Sequence, residues 1–187
     1  MSEKYLIVSD NHGNTRNLKS VLKHFRKDIA GIIHCGDVEY PVDRIEALAA
    51  CPYYGARGNC DFYYEREAET LLELGEHHVA LVTHGDRYGV SFSFNMLLER
   101  AAELGADVVF YGHTHRPSWQ QIEYDDQIYT FMNPGSIELP RQYQPAGPTF
   151  ATLEVMDDGE LVPHYYLIDR IFNRKFETFD IHDYEIY

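Results

Sequence analysis

The sequence predicts an α/β fold in which two β-sheets pack face to face and helices cover their outer surfaces. The first half of the chain alternates apolar strands with amphipathic helices, whereas the second half consists mainly of strands joined by short polar turns. A sandwich of two sheets accommodates both halves, because each sheet then buries one face against the other. A length of 187 residues favours one domain with a sizeable core.

The chain opens with a strand, a polar turn and a helix. Residues 5–8 (Tyr-Leu-Ile-Val) read as a short strand that ends at the polar segment 9–13. Asn14 is a favourable N-cap residue, so we expect a helix to begin near it. The apolar positions at helical spacing are Leu18, Val21, Leu22 and Phe25.

A second unit repeats this order. Residues 32–35 form the predicted strand, which ends at Gly36-Asp37. Residues 42–49 show helical spacing, with Pro41 in the first turn. A weaker third strand at 51–54 leads into a polar, glycine-bearing turn at 56–61.

The pattern then shifts towards strands. Residues 71–74 and 79–82 flank Gly75 as in a β-hairpin. A third helix is predicted between Ser93, as N-cap, and Gly105, as C-terminal stop. The remaining predicted elements are a strand at 108–111, a hairpin of 119–124 and 128–131, a turn at 133–136, and a hairpin of 150–155 and 161–167.

The composition restricts the classes of function. A formal net charge of −14 argues against a general nucleic-acid surface, which would be basic. It would also repel a phosphate ester unless bound cations reversed the sign locally. No segment resembles a signal peptide or a membrane span, and three cysteines without scaffold spacing suggest free thiols in a reducing cytoplasm.

We predict a domain at residues 1–168 and a C-terminal arm at residues 169–187. The arm alternates charged and aromatic residues. It either lies on its own domain or contacts a neighbouring subunit, and we favour the first alternative because self-burial covers such a patch equally well.

Two histidines follow the predicted strand 108–111. Gly112 allows a sharp turn, and His113 and His115 are two residues apart. In a near-extended segment they would project to the same side and face one spot beyond the strand. Imidazole is the commonest metal-binding side chain, although a lone pair of this kind is more often a surface or packing feature.

Other predicted strands also end in residues of metal-ligand type. If these ends lie side by side, seven ligands converge: Asp10, His12, Asp37, Asn59, His84, His113 and His115. Seven nitrogen and oxygen ligands are too many for one tetrahedral zinc ion and suit two ions that share a carboxylate. Each segment alone could be an ordinary turn, but turns do not favour histidine.

Five ordered motifs resemble the calcineurin-like metallophosphoesterase superfamily, in its compact YfcE and archaeal phosphodiesterase-type branch. They are Ser9-Asp10-Asn11-His12-Gly13, Gly36-Asp37-Val38-Glu39, Gly58-Asn59-Cys60-Asp61, Thr83-His84-Gly85 and Gly112-His113-Thr114-His115. The resemblance implies a four-layer α/β/β/α sandwich of two mixed sheets flanked by helices.

The resemblance also implies a pair of divalent metal ions bridged by a hydroxide that attacks phosphorus. One ion would take Asp10, His12, Asp37 and His115, and the other Asp37, Asn59, His84 and His113, so that Asp37 bridges them. We expect manganese, with iron, zinc or nickel as alternatives.

The catalytic candidates are Asp37, Asn59, Cys60 and Asp61. Many relatives carry a histidine proton donor where this chain has Cys60, and a thiol with an ordinary pKa of about 8.5 suits that task poorly. Leaving-group protonation therefore falls to water, or the substrates have good leaving groups. Arg57 and Arg141 could bind a phosphate or could be surface residues that form salt bridges.

The expected function is a phosphodiesterase for small phosphodiesters. Phosphomonoesterase activity on nucleotides or phosphometabolites is the first alternative, because both reactions use the same nucleophile. The second is an interaction scaffold, as in the retromer subunit of this fold. The expected partner is a small phosphoester, without a membrane, and the compact branch often forms homodimers or homotetramers.

Overall fold

The computed structural model describes residues 2–62, 66–169 and 175–183. The helices in this part of the chain are α1 (Arg16–Phe25), α2 (Val42–Ala49) and α3 (Asn95–Leu104). The strands are β1 (Glu3–Val8), β2 (Gly31–His34), β3 (Tyr53–Gly55), β4 (Glu69–Leu74), β5 (His78–Thr83), β6 (Val108–Phe110), β7 (Pro117–Tyr124), β8 (Gln127–Pro134), β9 (Thr149–Val155), β10 (Leu161–Ile168) and β11 (Phe176–Phe179). Two short 3-10 helices, Asp86–Tyr88 and Ile181–Asp183, complete the set.

The strands form two mixed sheets. The six-stranded sheet has the order β11-β10-β9-β1-β2-β3, and the five-stranded sheet has the order β4-β5-β6-β8-β7. In the first, β1, β2 and β3 are parallel. In the second, β5, β6 and β8 are parallel. Parallel strands end at a common edge, so the loops after each trio lie together.

Residue alternation in the strands builds the layers. In β1, Tyr5 and Ile7 face the core between the sheets, whereas Leu6 and Val8 face α1 and α2. On the other sheet, Leu81, Val109 and Phe131 pack against α3. Successive strand residues point to opposite faces, so continuous apolar runs bury both faces of each sheet. The predicted four-layer α/β/β/α sandwich is confirmed.

Several predicted boundaries were displaced by a few residues. The third strand begins at Tyr53 rather than 51, because Pro52 has no N–H and only its carbonyl accepts a hydrogen bond, from Ile32 N at 2.9 Å. Strand β8 continues through the first half of the predicted 133–136 turn to Pro134, because β7 pairs with it as far as that residue. The residues at 133–136 that predicted a turn therefore include the end of strand β8.

The two predicted N-cap residues, Asn14 and Ser93, each lie one position before the observed cap, whereas the predicted C-terminal stop of α3 is confirmed. Asn14 Oδ1 accepts a hydrogen bond from Arg16 N at 3.1 Å, although Thr15 occupies the cap position. Ser93 Oγ accepts one from Asn95 N at 3.1 Å, with Phe94 at the cap. Gly105 ends α3 in the left-handed conformation, as predicted.

The described part of the C-terminal arm lies on the six-stranded sheet. Strand β11 pairs antiparallel with β10. The ring of Phe176 packs edge-on against Phe150, with ring centroids 5.3 Å apart, and Ile181 is buried. Residues 170–174 and 184–187 of the predicted arm lie outside the described residues, and the domain boundary at 168 stays a prediction.

None of the helices in the described ranges is long and apolar enough to cross a membrane.

Candidate metal centre

The loops after β1 and β2 are joined edge to edge. Asp10 N donates to Gly36 O at 3.0 Å, and His12 N donates to Asp37 O at 3.0 Å. These backbone bonds continue the parallel pairing of β1 and β2 beyond the strand ends. They hold the two loops that carry predicted ligands in a fixed register, independently of side-chain contacts.

Backbone strain is concentrated in the same loops. Six of their non-glycine residues have φ between 44° and 65°, a conformation that costs roughly 1–3 kcal/mol each. They are Asp10, His12, Asp37, Glu39, His113 and His115. The surrounding sheets keep the loops in this unfavourable backbone conformation. As a result, short loops can turn several side chains towards one point.

Two glycines permit close approach of the loops. A Cβ atom at Gly58 would collide with Asp37 Oδ1 and with the backbone N of Asp37. A Cβ atom at Gly112 would collide with Ser9 Oγ and would come within 2.8 Å of Asp10 Oδ2. Larger residues at either position would push the ligand loops apart.

Three of the predicted ligands form one cluster. Asp10 Oδ1 lies 3.1 Å from His115 Nε2 and 3.9 Å from His12 Nε2. The two imidazole nitrogens are 3.3 Å apart. One carboxylate oxygen and two ring nitrogens therefore face a common point, which is the arrangement of a cation site.

The other four predicted ligands form a second, adjoining cluster. Asp37 Oδ2 lies 3.3 Å from His84 Nε2, and Asn59 Oδ1 lies 3.1 Å from the same nitrogen. His113 Nδ1 is 3.0 Å from Asn59 Oδ1. Asp37 Oδ2 is also 3.8 Å from His12 Nε2. Asp37 thus faces both clusters, in the position that a bridging carboxylate requires.

The expectation that His113 and His115 face one spot was wrong. Both residues have positive φ, 65° and 60°, so the segment is a tight turn and not near-extended. His115 consequently joins Asp10, whereas His113 joins Asn59. The two residues thus lie in different clusters, and the assignment of ligands to two ions that the family resemblance implied stays a prediction.

The outward nitrogens of three histidines are held by acceptors. Glu39 Oε1 lies 2.7 Å from His12 Nδ1, Cys35 O lies 2.7 Å from His84 Nδ1, and Leu139 O lies 2.5 Å from His115 Nδ1. A carbonyl or carboxylate oxygen can only accept, so each Nδ1 carries the proton. In the neutral ring each Nε2 therefore presents its lone pair to the centre, which is the tautomer that binds a metal.

Glu39 is a site residue that the sequence reasoning did not single out. It belongs to the quoted motif Gly36-Asp37-Val38-Glu39, and its place two residues after Asp37 was the available signal. Ser9 was likewise missed: its hydroxyl donates to Asp10 Oδ2 at 2.5 Å.

Asp10 Oδ1 shows that these residues fit a metal ion. This oxygen is buried and accepts no hydrogen bond from the described residues. His115 Nε2 lies 3.1 Å from it, but in the neutral ring with its proton on Nδ1 that nitrogen cannot donate. A buried carboxylate oxygen without a donor is costly, and a cation bound among Asp10, His12 and His115 would satisfy it.

The electrostatics of the centre favour ionised carboxylates. Burial opposes ionisation of Asp37, but His84 and the N–H of Cys60 hold the pKa of Asp37 below its ordinary value. Burial likewise opposes ionisation of Asp10, and the His115 and His84 rings lower its pKa. Although burial lowers the pKa of His84, Asp37 and Asp10 raise it to about 9. The centre thus carries two anionic ligands suited to divalent cations.

Cys60 and Asp61 occupy different places in the Asn59 turn. Burial and the charge of Asp37 raise the pKa of the half-buried Cys60 thiol to about 12. Asp61 is buried and accepts hydrogen bonds from Glu39 N and Gly58 N, both at 2.8 Å. Asp61 therefore ties the turn to the Asp37 loop.

The two predicted arginines have different surroundings. Arg57 precedes the Gly58 turn, and its backbone N donates to Glu67 O at 2.9 Å. Arg141 lines a cavity next to His115, to whose carbonyl its backbone N donates at 3.2 Å. Arg116, which the sequence reasoning did not select, lines the same cavity.

This fold and this cluster of ligands define a metallophosphoesterase. The family model described as the calcineurin-like phosphoesterase superfamily domain matches residues 4–158, and the chain belongs to this superfamily. Membership makes it a phosphoester hydrolase of a class that uses divalent metal ions.

Curated relatives agree with this assignment. The chain is 38% identical over 160 residues to the probable metallophosphoesterase YsnB of Bacillus subtilis, covering 86% of this chain and 89% of the relative. It is 28% identical over 146 residues to the phosphodiesterase MJ0936 of Methanocaldococcus jannaschii, covering 69% of this chain and 81% of the relative.

A solved structure shows the same fold. The wild-type Vps29 of Entamoeba histolytica, complexed with Zn²⁺, superposes with a TM-score of 0.72 at 20% identity and covers 95% of this chain and 99% of its own. At this identity the likeness concerns the fold alone.

Proposed function

We propose that this chain is a phosphodiesterase that hydrolyses small phosphodiesters with a pair of divalent metal ions, manganese being the expected metal. The observation that carries the proposal is the convergence of two buried carboxylates with four histidines, three of which have Nδ1 fixed as a donor. The phosphodiesterase name of the Methanocaldococcus relative supports the diester preference.

The seven ligands divide as the two clusters suggest. One ion would be held by Asp10, His12, Asp37 and His115. The other would be held by Asp37, Asn59, His84 and His113. When bound there, two such ions would supply an acidified water as nucleophile and would offset the charge on the phosphoryl oxygens.

Several residues of the chain set the charge of the centre and hold the proposed ligands in place. Asn59 contributes a neutral oxygen, which keeps the total negative charge of the centre low. Glu39, Cys35 O and Leu139 O hold three ligand rings in place. Cys60, with its raised pKa, is a poor proton donor. We therefore expect substrates whose leaving group departs without help from Cys60, such as aryl esters.

A metal-by-substrate screen tests the proposal. Purified protein would first be analysed for bound elements and then assayed with added Mn²⁺, Ni²⁺, Zn²⁺ or Fe²⁺. Bis-para-nitrophenyl phosphate and para-nitrophenyl phosphate present the same leaving group as a diester and a monoester. Faster hydrolysis of the diester supports the proposal, whereas preference for the monoester favours the phosphomonoesterase alternative.

The same screen addresses the interaction-scaffold alternative. Bound metal without turnover of either ester, with any of the four metals, would favour a scaffold. Size-exclusion chromatography with light scattering would separately test the expected homodimer or homotetramer. The ligand set retains all seven ligand-competent residues, which is why we place the enzyme first.

A further inference from the structure

A cavity of about 420 Å³ opens beside the metal centre. One wall is the loop 90–94, which follows the His84 segment. The opposite wall runs from Thr114, between two proposed ligands, to Gln120. Arg141 contributes a third side. The volume falls in the range of small-molecule sites, and the lining residues Thr114 and Arg116 flank the proposed ligand His115 in the chain.

Two arginines give this cavity a positive charge. Arg116 and Arg141 both line it, and neither guanidinium forms an ion pair with any residue of the described ranges. Arg100, by contrast, has a carboxylate partner, Glu69, at 2.9 Å. In a chain with 30 acidic and 16 basic residues, two arginines at one cavity form a local positive patch that suits an external anion.

Aromatic rings form the other part of the lining. Phe92 is 95% exposed at the rim. Phe94 lies deeper and packs edge-on against Tyr111, with centroids 5.4 Å apart. An almost fully exposed phenylalanine next to a cationic cavity offers a flat apolar face on which a planar ring can stack.

We propose that this cavity binds one ester arm of the substrate, that Arg116 and Arg141 hold a second phosphate on that arm, and that Phe92 stacks on its ring. This inference rests on the proposed function and narrows the substrate class to nucleotide-type phosphodiesters with an additional phosphate. The arginines provide locally the positive charge that the chain as a whole lacks.

Two matched substrates test the anion. The para-nitrophenyl ester of thymidine 5′-phosphate would be compared with the same ester carrying a 3′-phosphate, so that the reacting bond is identical. We expect kcat/KM to favour the 3′-phosphorylated ester by about tenfold. Arg116→Gln and Arg141→Gln should each remove most of that preference. Arg26→Gln, at the far end of α1, also removes one positive charge and serves as the control. This variant should retain the preference for the 3′-phosphorylated ester.

A second measurement does not depend on turnover. Metal-depleted protein would be titrated calorimetrically with thymidine 3′,5′-bisphosphate. We expect binding that Arg116→Gln weakens about tenfold and that Phe92→Ala also weakens, while Arg26→Gln leaves it unchanged. Circular dichroism would establish that the variants are folded, which is expected because all of these side chains are exposed.

The two proposals fail in different ways. If the unmodified protein hydrolyses both esters equally, and Arg116→Gln changes neither kcat/KM, the cavity proposal is overturned while the phosphodiesterase stands. If neither ester is hydrolysed with any metal, the proposed function fails, and the bisphosphate titration alone decides whether the cavity binds the anion.

Discussion

Oε1 of Glu39 lies 2.7 Å from Nδ1 of His12, while Nε2 of the same ring faces Asp10 and Asp37. The carboxylate accepts the outward proton and thereby fixes both the orientation and the tautomer of the ring. Such partners commonly contribute 10- to 100-fold to metal affinity. Glu39 is therefore a positioning residue for one half of the proposed metal pair.

We expect Glu39→Ala to weaken binding of one metal ion by about 10- to 100-fold and to leave the other nearly unchanged. Calorimetric titration of metal-depleted protein with Mn²⁺ would resolve the two affinities. Glu39→Gln, which keeps an acceptor oxygen, should restore part of the loss, and Glu99→Ala, an exposed residue of α3, serves as control. Equal affinities in Glu39→Ala and the parent protein would contradict the positioning role.

We expect Asp37 to contribute to the binding of both metal ions and His115 to the binding of one. Because Asp37 Oδ2 faces both His12 and His84, Asp37→Asn should abolish turnover and reduce occupancy of the whole pair. His115→Ala should lower occupancy of a single ion. Element analysis beside the diester assay measures both effects. Normal activity in Asp37→Asn would show that the ligand assignment is wrong.

Asn133 links the two halves of the histidine turn. Its buried amide donates to Gly112 O at 2.9 Å and to Thr114 Oγ1 at 3.0 Å. Asn133→Ala removes both bonds and also leaves the buried Gly135 N–H, which donates to Asn133 Oδ1 at 2.8 Å, without its acceptor, so we expect a loss of about 1–3 kcal/mol in the free energy of unfolding. Urea denaturation would measure it, with Asn95→Ala on the exposed start of α3 as control. A change no larger than that of the control would argue against this role.

His78 provides a pH-dependent contribution to stability far from the metal centre. Burial opposes its protonation, but hydrogen bonds with Gly159 O at 2.7 Å and Asp107 Oδ2 at 2.5 Å raise its pKa above 6.5. A pKa raised on folding stabilises the folded state below about pH 6.5. The contribution disappears as the pH rises through the folded-state value.

The variant His78→Gln should therefore lose more stability at about pH 5.5 than at about pH 9. Urea denaturation of the parent protein and the variant at each pH gives the difference in the free energy of unfolding directly. Protonation of side chains at the metal centre affects both proteins equally and therefore cancels in the comparison. The exposed His182, changed to Gln, is the control. An equal loss at both pH values would mean that the raised pKa contributes nothing to folding.

The sequence determined the layers and indicated which residues are candidate metal ligands. Alternating apolar positions in β1 and helical spacing in α1 depend only on neighbouring residues, so they could be recognised before the chain was folded. The same holds for histidines and aspartates placed directly after apolar runs, since metal chemistry restricts which side chains serve as ligands. Element ends were less predictable, because the pairing of β7 with β8 as far as Pro134 involves a distant partner.

Only the tertiary structure decided how the proposed ligands are grouped and which residues support them. The positive φ of His113 and His115 turns them towards different partners, and it arises from loops that meet across the ends of two sheets. Glu39 reaches His12 across 27 positions in the chain, and Arg116 meets Arg141 at a cavity that no local pattern describes. Such contacts depend on the packing of distant segments, which residue spacing does not encode.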